Sequence, residues 1–260
     1  RRQRQMCIRD SEMSLLKRIE DKGAVVGAWM FFREPVLAGT ASKVGYDFVC
    51  IDMQHGVQSF DDMNAMISAV HLGDALPIVR SASCDEGLAG RYLDAGAAAV
   101  IFPMVNTRAQ AESCVRACYY PPKGERSMGA IGATLLFGDD YFDIGNDVTF
   151  AIPMIETRDA VDNIDEILSV EGVDIIFVGP GDLAVSYGLP PANDNPDPEY
   201  QAALARIVER CNAHGVIAGV YSSAELAQIR REQGFRLISI STDWDSAIGG
   251  ISADLDAVTV

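Results

Sequence analysis

Two carboxylates, a histidine and an arginine stand in this sequence where short apolar runs give way to polar turns. Glu156 ends TFAIPMIE, Asp182 follows in VGPGDL, His55 lies in IDMQHG, and Arg80 closes LPIVR. A Glu–Asp pair, with water and substrate oxygens in the remaining positions, suits a hard divalent cation: Mg2+ or Mn2+, with Co2+ as a further candidate. Histidine titrates near neutrality, which suits proton transfer. An arginine at a strand end calls for an anion, such as a substrate carboxylate or a developing enolate. The Gly-Pro-Gly before Asp182 leaves room for backbone N–H groups, Gly181 among them, to face a small 2-oxo acid at the start of a helix. Together these groups describe carbon–carbon lyase chemistry through a pyruvate enolate stabilised by a metal. No lysine ends an apolar run, which argues against an imine mechanism.

Each residue also has a plainer reading. Asp182 fits the first turn of a short helix as an ordinary acid. His71 and His214 fall late in helical patterns, where capping or solvation accounts for them. His55 lies just past a strand, where a functional role is favoured. The chain also repeats itself: FPMVNTR at 102–108 returns as IPMIETR at 152–158, with Asn106 in the place of Glu156.

These groups need elements to position them. Eight apolar runs, AVVGAWM, YDFVCIDM, LPIVR, AAAVIFPMV, VTFAIPMI, VDIIFVG, GVIAGVY and FRLISIS, alternate with helical patterns that mostly close on glycine. Strands apolar on both faces and separated by helices imply a parallel sheet. Eight of them in 260 residues predict one domain over 1–260, an α/β (β/α)8 TIM barrel with additional N-terminal and C-terminal helices. An open doubly wound sheet would carry a Gly-rich turn after its first strand, and neither G-x-G-x-x-G nor GK[ST] occurs. The segments 119–147 and 186–200 are expected to wall the site. Residues 243–258 read as a final helix, and the basic residues 1–10 are expected to be flexible.

Composition narrows the partners. Thirty-seven acidic against 21 basic residues give a net charge of −16, which argues against nucleic acid. No apolar run approaches the ~20 residues that span a bilayer, and none follows the basic opening as in a signal peptide. The six cysteines fall mostly in apolar or helical patterns, as expected of reduced thiols in a cytoplasmic protein. Cys114 and Cys118 lack the further ligands of a zinc site and read as helix packing.

YDFVCIDMQHG, PMVNTRAQAE, YYPPKGERSMG, PMIET and VDIIFVGPGDLAVSYG, in this order and spacing, resemble the HpcH/HpaI aldolase family over roughly residues 14–250. These are metal-dependent class II pyruvate aldolases of the 4-hydroxy-2-oxoheptanedioate aldolase type. The resemblance implies a (β/α)8 barrel and a homo-oligomer, a hexamer of dimers exchanging a C-terminal helix. It implies reversible aldol cleavage of 4-hydroxy-2-oxo acids to pyruvate and an aldehyde. By position, Glu156 and Asp182 would bind the metal, Asp182 lying beside the substrate. His55 would be the acid/base residue, and Asp94 in LDAGA the acid that raises its basicity. Arg80 would hold the enolate oxygen, and the Gly181 N–H the pyruvate carboxylate.

Gln54 and Met154 depart from the family pattern, in which an acid and a glutamine are common, and predict a less polar pocket on that side. Lys123 and Arg126 in PPKGER are the nearest candidate cations for an acceptor aldehyde. Two rival activities share the superfamily. One is cleavage of malyl- or citryl-CoA-like esters, which needs a basic surface for CoA. The other is a decarboxylase/synthase role like that of macrophomate synthase.

Overall fold

The computed structural model describes residues 14–258; the expectation for residues 1–10 falls outside them. Eight parallel strands close into one barrel in sequence order. They are β1 (Val25–Met30), β2 (Phe48–Asp52), β3 (Leu76–Arg80), β4 (Ala99–Phe102), β5 (Phe150–Ile155), β6 (Ile175–Val178), β7 (Ile217–Tyr221) and β8 (Leu237–Thr242). Helices connect them, so the expected (β/α)8 architecture is present.

The period-2 alternation of a strand sorts its side chains between two cores. Trp29, Phe48, Cys50, Ile78, Ile101, Phe150, Ile152 and Phe177 fill the barrel. Val49, Ile51, Val79, Val100, Ala151, Ile176 and Val178 pack outwards against the helices. Because both faces are buried, the strands read as unbroken apolar runs. Gly27 leaves the space that the Phe48 ring fills, since a Cβ there would lie 2.2 Å from it.

The helix Leu15–Lys22 closes the N-terminal end of the barrel: Leu15 and Ile19 are buried in the inner core. Its N-cap, Ser14, accepts from the Lys17 N–H. The segment expected to wall the site from 119 to 147 lies instead at this same end. It carries the helices Ile131–Phe137 and Tyr141–Val148. Phe137 and Tyr141 line a cleft of about 530 Å3 with Arg18, Leu76 and Ala98, at the starts of β3 and β4. The physical reason is one of direction: the segment follows the helix Arg108–Cys118, which has already carried the chain back from the strand ends. Segment 186–200 follows the helix Pro180–Ser186 directly and stays at the C-terminal end.

The last helix runs Asp243–Asp256. Asp243 anchors it to the first strand by accepting the N–H groups of Phe31 and Phe32, both at 2.8 Å. Among the described residues no helix is long and apolar enough to cross a membrane.

Candidate active site

At the C-terminal end of the barrel, register brings Asp52 of β2 beside Arg80 of β3. Asp52 is fully buried and Arg80 only 6% exposed. The Arg80 Nε donates to Asp52 Oδ1 at 3.0 Å, and Nη2 donates to Oδ2, so the guanidinium grips the carboxylate with two prongs. The Trp29 indole N–H donates to Oδ2 at 2.9 Å, and the Trp29 ring lies 5.1 Å from the Arg80 guanidinium carbon. Burial works to raise the Asp52 carboxyl pKa. The Arg80 hydrogen bonds and charge, the indole N–H and the His55 backbone N–H outweigh it and hold the group below the ordinary carboxylate value.

Asp52 also shapes the turn after its own strand. Its Oδ1 accepts the backbone N–H groups of Gln54 at 2.9 Å and His55 at 3.1 Å. Gln58 closes the turn by donating to the Asp52 carbonyl at 2.6 Å. The exposed His55 side chain is thereby carried on a turn fixed by the same carboxylate that fixes Arg80.

Glu156 follows β5 and is 2% exposed. Its Oε1 accepts the Met104 backbone N–H at 2.6 Å, from the end of the adjacent β4. Its other oxygen lies against Gly179, where an added Cβ would come within 2.4 Å; only glycine leaves room for this carboxylate. Burial pushes the Glu156 pKa up to about 7; the Met104 N–H opposes the rise, the nearby Asp182 charge adds to it, and Arg80 opposes it. Asp182 is exposed in the first turn of the helix Pro180–Ser186, where the helical reading put it. Gly181, beside it, is half-buried with open space where a Cβ would stand.

The repeated phrase has a structural counterpart. Thr107 and Thr157 each cap the helix that follows, accepting from the N–H groups of Gln110 and Ala160. Asn106 bonds to Thr157 and accepts from Asn163, tying the two units together, while Glu156 at the equivalent place turns to the site.

The remaining sequence candidates lie elsewhere in the chain. Asp94 ends the helix Glu86–Asp94 at the opposite end of the barrel, where it pairs with Arg126 at 2.7 Å. Within one chain it is not brought to His55. Arg126 is buried between Asp94, Tyr120 and Tyr141. The Lys123 ammonium sits 3.7 Å from the centre of the Tyr119 ring. Neither cation faces the strand ends of its own chain. His71 caps its helix and its Nε2 meets the Gly96 carbonyl at 2.9 Å, while His214 pairs with Asp165 at 2.9 Å, as their positions in the sequence suggested.

The Asp182 charge adds to the cost of ionising the buried Glu156, and a divalent cation would relieve both burial and repulsion. Among the described residues no three His, Cys, Asp or Glu side chains converge. Glu156 and Asp182 would therefore leave most of an oxygen shell to water and substrate. Sequence reading passed over Asp52 as one more polar strand end, and it missed Trp29 and Met104. The Asp52 signal was present in its placement three residues before His55. Its partnership with Arg80 depends on sheet register.

A family model described as HpcH/HpaI aldolase/citrate lyase matches residues 26–249. A hydroxypyruvate/pyruvate aldolase of Rhizorhabdus wittichii is 38% identical over 225 residues, covering 86% of this chain and 89% of that protein. A 2-keto-3-deoxy-L-rhamnonate aldolase of Escherichia coli is 34% identical over 228 residues, covering 85% and 84%. The crystal structure of an HpcH/HpaI aldolase/citrate lyase family protein from Burkholderia cenocepacia superposes with a TM-score of 0.84. It is 30% identical and covers 90% of this chain and 94% of that one.

Proposed function

The chain belongs to the HpcH/HpaI aldolase/citrate lyase family, and from that premise we propose that it is a divalent-cation-dependent aldolase cleaving 4-hydroxy-2-oxo acids to pyruvate and an aldehyde. The observation that carries the reading is the opposition, at one barrel mouth, of the buried Glu156 carboxylate and the Asp52-held Arg80 guanidinium. Glu156 and Asp182 would hold the cation, Mg2+ or Mn2+, with Co2+ as a further candidate. When bound, it would polarise the 2-oxo and carboxylate oxygens of the substrate.

Arg80 lies close enough to Glu156 to affect its titration, so its fixed guanidinium can take the negative charge that grows on the 2-oxo oxygen as the C3–C4 bond breaks. His55 removes the proton from the 4-hydroxyl, whose oxygen becomes the aldehyde carbonyl. In the reverse direction it returns that proton. The Gly181 N–H meets the pyruvate carboxylate. Asp52 fixes both Arg80 and the His55 turn. The names of the relatives include both pyruvate and hydroxypyruvate, and hydroxypyruvate is the first alternative donor to try.

We read the assembly as a homo-oligomer, with the expected hexamer as its form. Trp244, Ile248 and Ile251 on the last helix are exposed at 52%, 46% and 66%, which supports a covered helix face. The test of the activity is release of pyruvate from a 4-hydroxy-2-oxo acid with and without EDTA. Release undiminished by the chelator, or no release with any of the three cations, overturns the reading.

A further inference from the structure

Met104, just past β4, holds a backbone conformation that side chains avoid. Its φ is 57°, and among the described residues it alone, apart from glycines, has a positive φ. Glycine would take this turn at no steric cost, so the strain points to a use for the side chain. That side chain is 46% exposed, between the buried Pro103 and Val105. The repeated phrase supplies the contrast: Met154, its counterpart in IPMI, stays within β5 and is buried. One methionine is thus turned into the core and the other out at the barrel mouth.

The backbone on either side of that side chain is fixed. The Met104 N–H donates to Glu156 Oε1 at 2.6 Å, so the Met104 Cα is bonded to the nitrogen that touches the carboxylate. The Val105 N–H donates to the Met154 carbonyl at 3.3 Å. In the closed strand order β4 stands between β3, which ends in Arg80, and β5, which leads to Glu156. A molecule held between Arg80 and Glu156 therefore passes the Met104 side chain. The polar parts of the substrate already have partners in Arg80, His55 and the Gly181 N–H. A thioether has no hydrogen to donate and is only a weak acceptor, while its unbranched stem fits itself to apolar neighbours. What remains for it to touch is carbon.

We propose that the Met104 side chain is a specificity-determining wall of the acceptor pocket, limiting the aldehyde to a short substituent and refusing a charged one. This rests on the reading of the site as an aldolase and deepens it. In the condensation direction C3 of the pyruvate enolate bonds to the aldehyde carbon, and the aldehyde oxygen takes its proton from His55. The substituent on that carbon takes no part in these bond changes, so the pocket is free to select it by shape. A bulky substituent would meet the thioether. A carboxylate would lose its water there without gaining a partner.

The experiment measures kcat/KM for glycolaldehyde, benzaldehyde and succinate semialdehyde, with pyruvate and Mn2+, in wild type, M104G, M104N, M104L and M104K. A ratio between two aldehydes cancels whatever a substitution does to Glu156, the cation or the donor. Glycine and asparagine both suit the left-handed backbone. M104G and M104N should therefore fold and raise the benzaldehyde-to-glycolaldehyde ratio about tenfold or more, the scale of discrimination a pocket wall supplies. M104L keeps the bulk and should keep the wild-type ratio. M104K puts an ammonium in place of the thioether and should raise the ratio of succinate semialdehyde to glycolaldehyde by a similar factor. A benzaldehyde ratio unchanged or lowered in both M104G and M104N overturns the wall, and an unchanged succinate semialdehyde ratio in M104K overturns the refusal of charge. A shift confined to the preference between pyruvate and hydroxypyruvate as donors overturns the assignment to the acceptor. Exchange of pyruvate methyl protons with D2O, which needs no aldehyde, is followed alongside. A wild type that neither exchanges nor condenses overturns the aldolase reading and the wall together, whereas exchange with unchanged aldehyde ratios overturns the wall alone.

Discussion

Arg80 and Asp52 face each other across the β2–β3 register as a two-pronged pair, with Nε to Oδ1 at 3.0 Å. The same carboxylate receives the indole N–H of Trp29 and the backbone N–H groups of Gln54 and His55. One buried acid thus sets the plane of the guanidinium, its seat on Trp29 and the turn that carries the histidine. A pair so deeply buried is stabilising only while it is complete, because either partner alone is an uncompensated charge.

D52A should accordingly lose about 3–5 kcal/mol of folding stability by leaving Arg80 unpaired. D52N keeps the shape and one acceptor, so it should lose less stability but still lose most activity. Urea unfolding followed by fluorescence, alongside kcat, separates the two effects. Full activity in D52N would remove Asp52 from the catalytic frame.

R80K should leave the barrel folded and slow the reaction by about 100-fold or more, because an ammonium cannot reproduce the planar fork. The clearest measurement needs no aldehyde. Wild-type enzyme with Mn2+ should exchange the methyl protons of pyruvate with D2O, and R80K should do so far more slowly. Rapid exchange in EDTA, or trapping of pyruvate on the chain by borohydride, contradicts the mechanism.

Glu156 makes a pH prediction whose sign is opposite to that of a salt-bridged acid. Its folded pKa is raised from the ordinary 4.5 to about 7. Between those values the folded chain binds more protons than the unfolded one, so stability falls as pH rises through the window. In EDTA the wild type should lose up to about 3 kcal/mol between pH 4.5 and 7 from this group. E156Q should lack that part of the slope. The cation competes with the same proton, so Mn2+ affinity should weaken as pH falls below about 7. E156A and D182A should each abolish Mn2+-dependent activity with the fold retained; equal pH slopes in wild type and E156Q would show that Glu156 does not titrate there.

The acceptor should be a short hydroxy- or oxo-aldehyde, chosen loosely. Met154 is buried beneath Gly179, and Lys123 and Arg126 lie at the other end of their own barrel, so one chain offers no basic side chain from that segment to an acceptor carboxylate. A kcat/KM panel of glycolaldehyde, glyceraldehyde, succinate semialdehyde and an aromatic aldehyde tests this. A preference for succinate semialdehyde above about 100-fold, some 2.7 kcal/mol, would reverse it.

The barrel is legible in the order of residues alone. Eight runs apolar on both faces, each followed by a helical period, leave a parallel closed sheet as the arrangement that buries them. That order also located Glu156, Asp182, His55 and Arg80, because a polar residue ending an apolar strand has few places to be except the barrel mouth. It could not decide which of these groups touch. Asp52 and Arg80 are 28 residues apart, and their pairing follows from strand register, a tertiary quantity. The hold of Met104 on Glu156 spans 52 residues and needs a left-handed backbone that no local pattern announces. The placement of the 119–147 segment, and of Asp94 away from His55 within one chain, was hidden for a related reason: proximity to a motif in the sequence does not say at which end of a barrel a residue lies. Each helix reverses the chain, so that position is set by the direction of the chain through three dimensions.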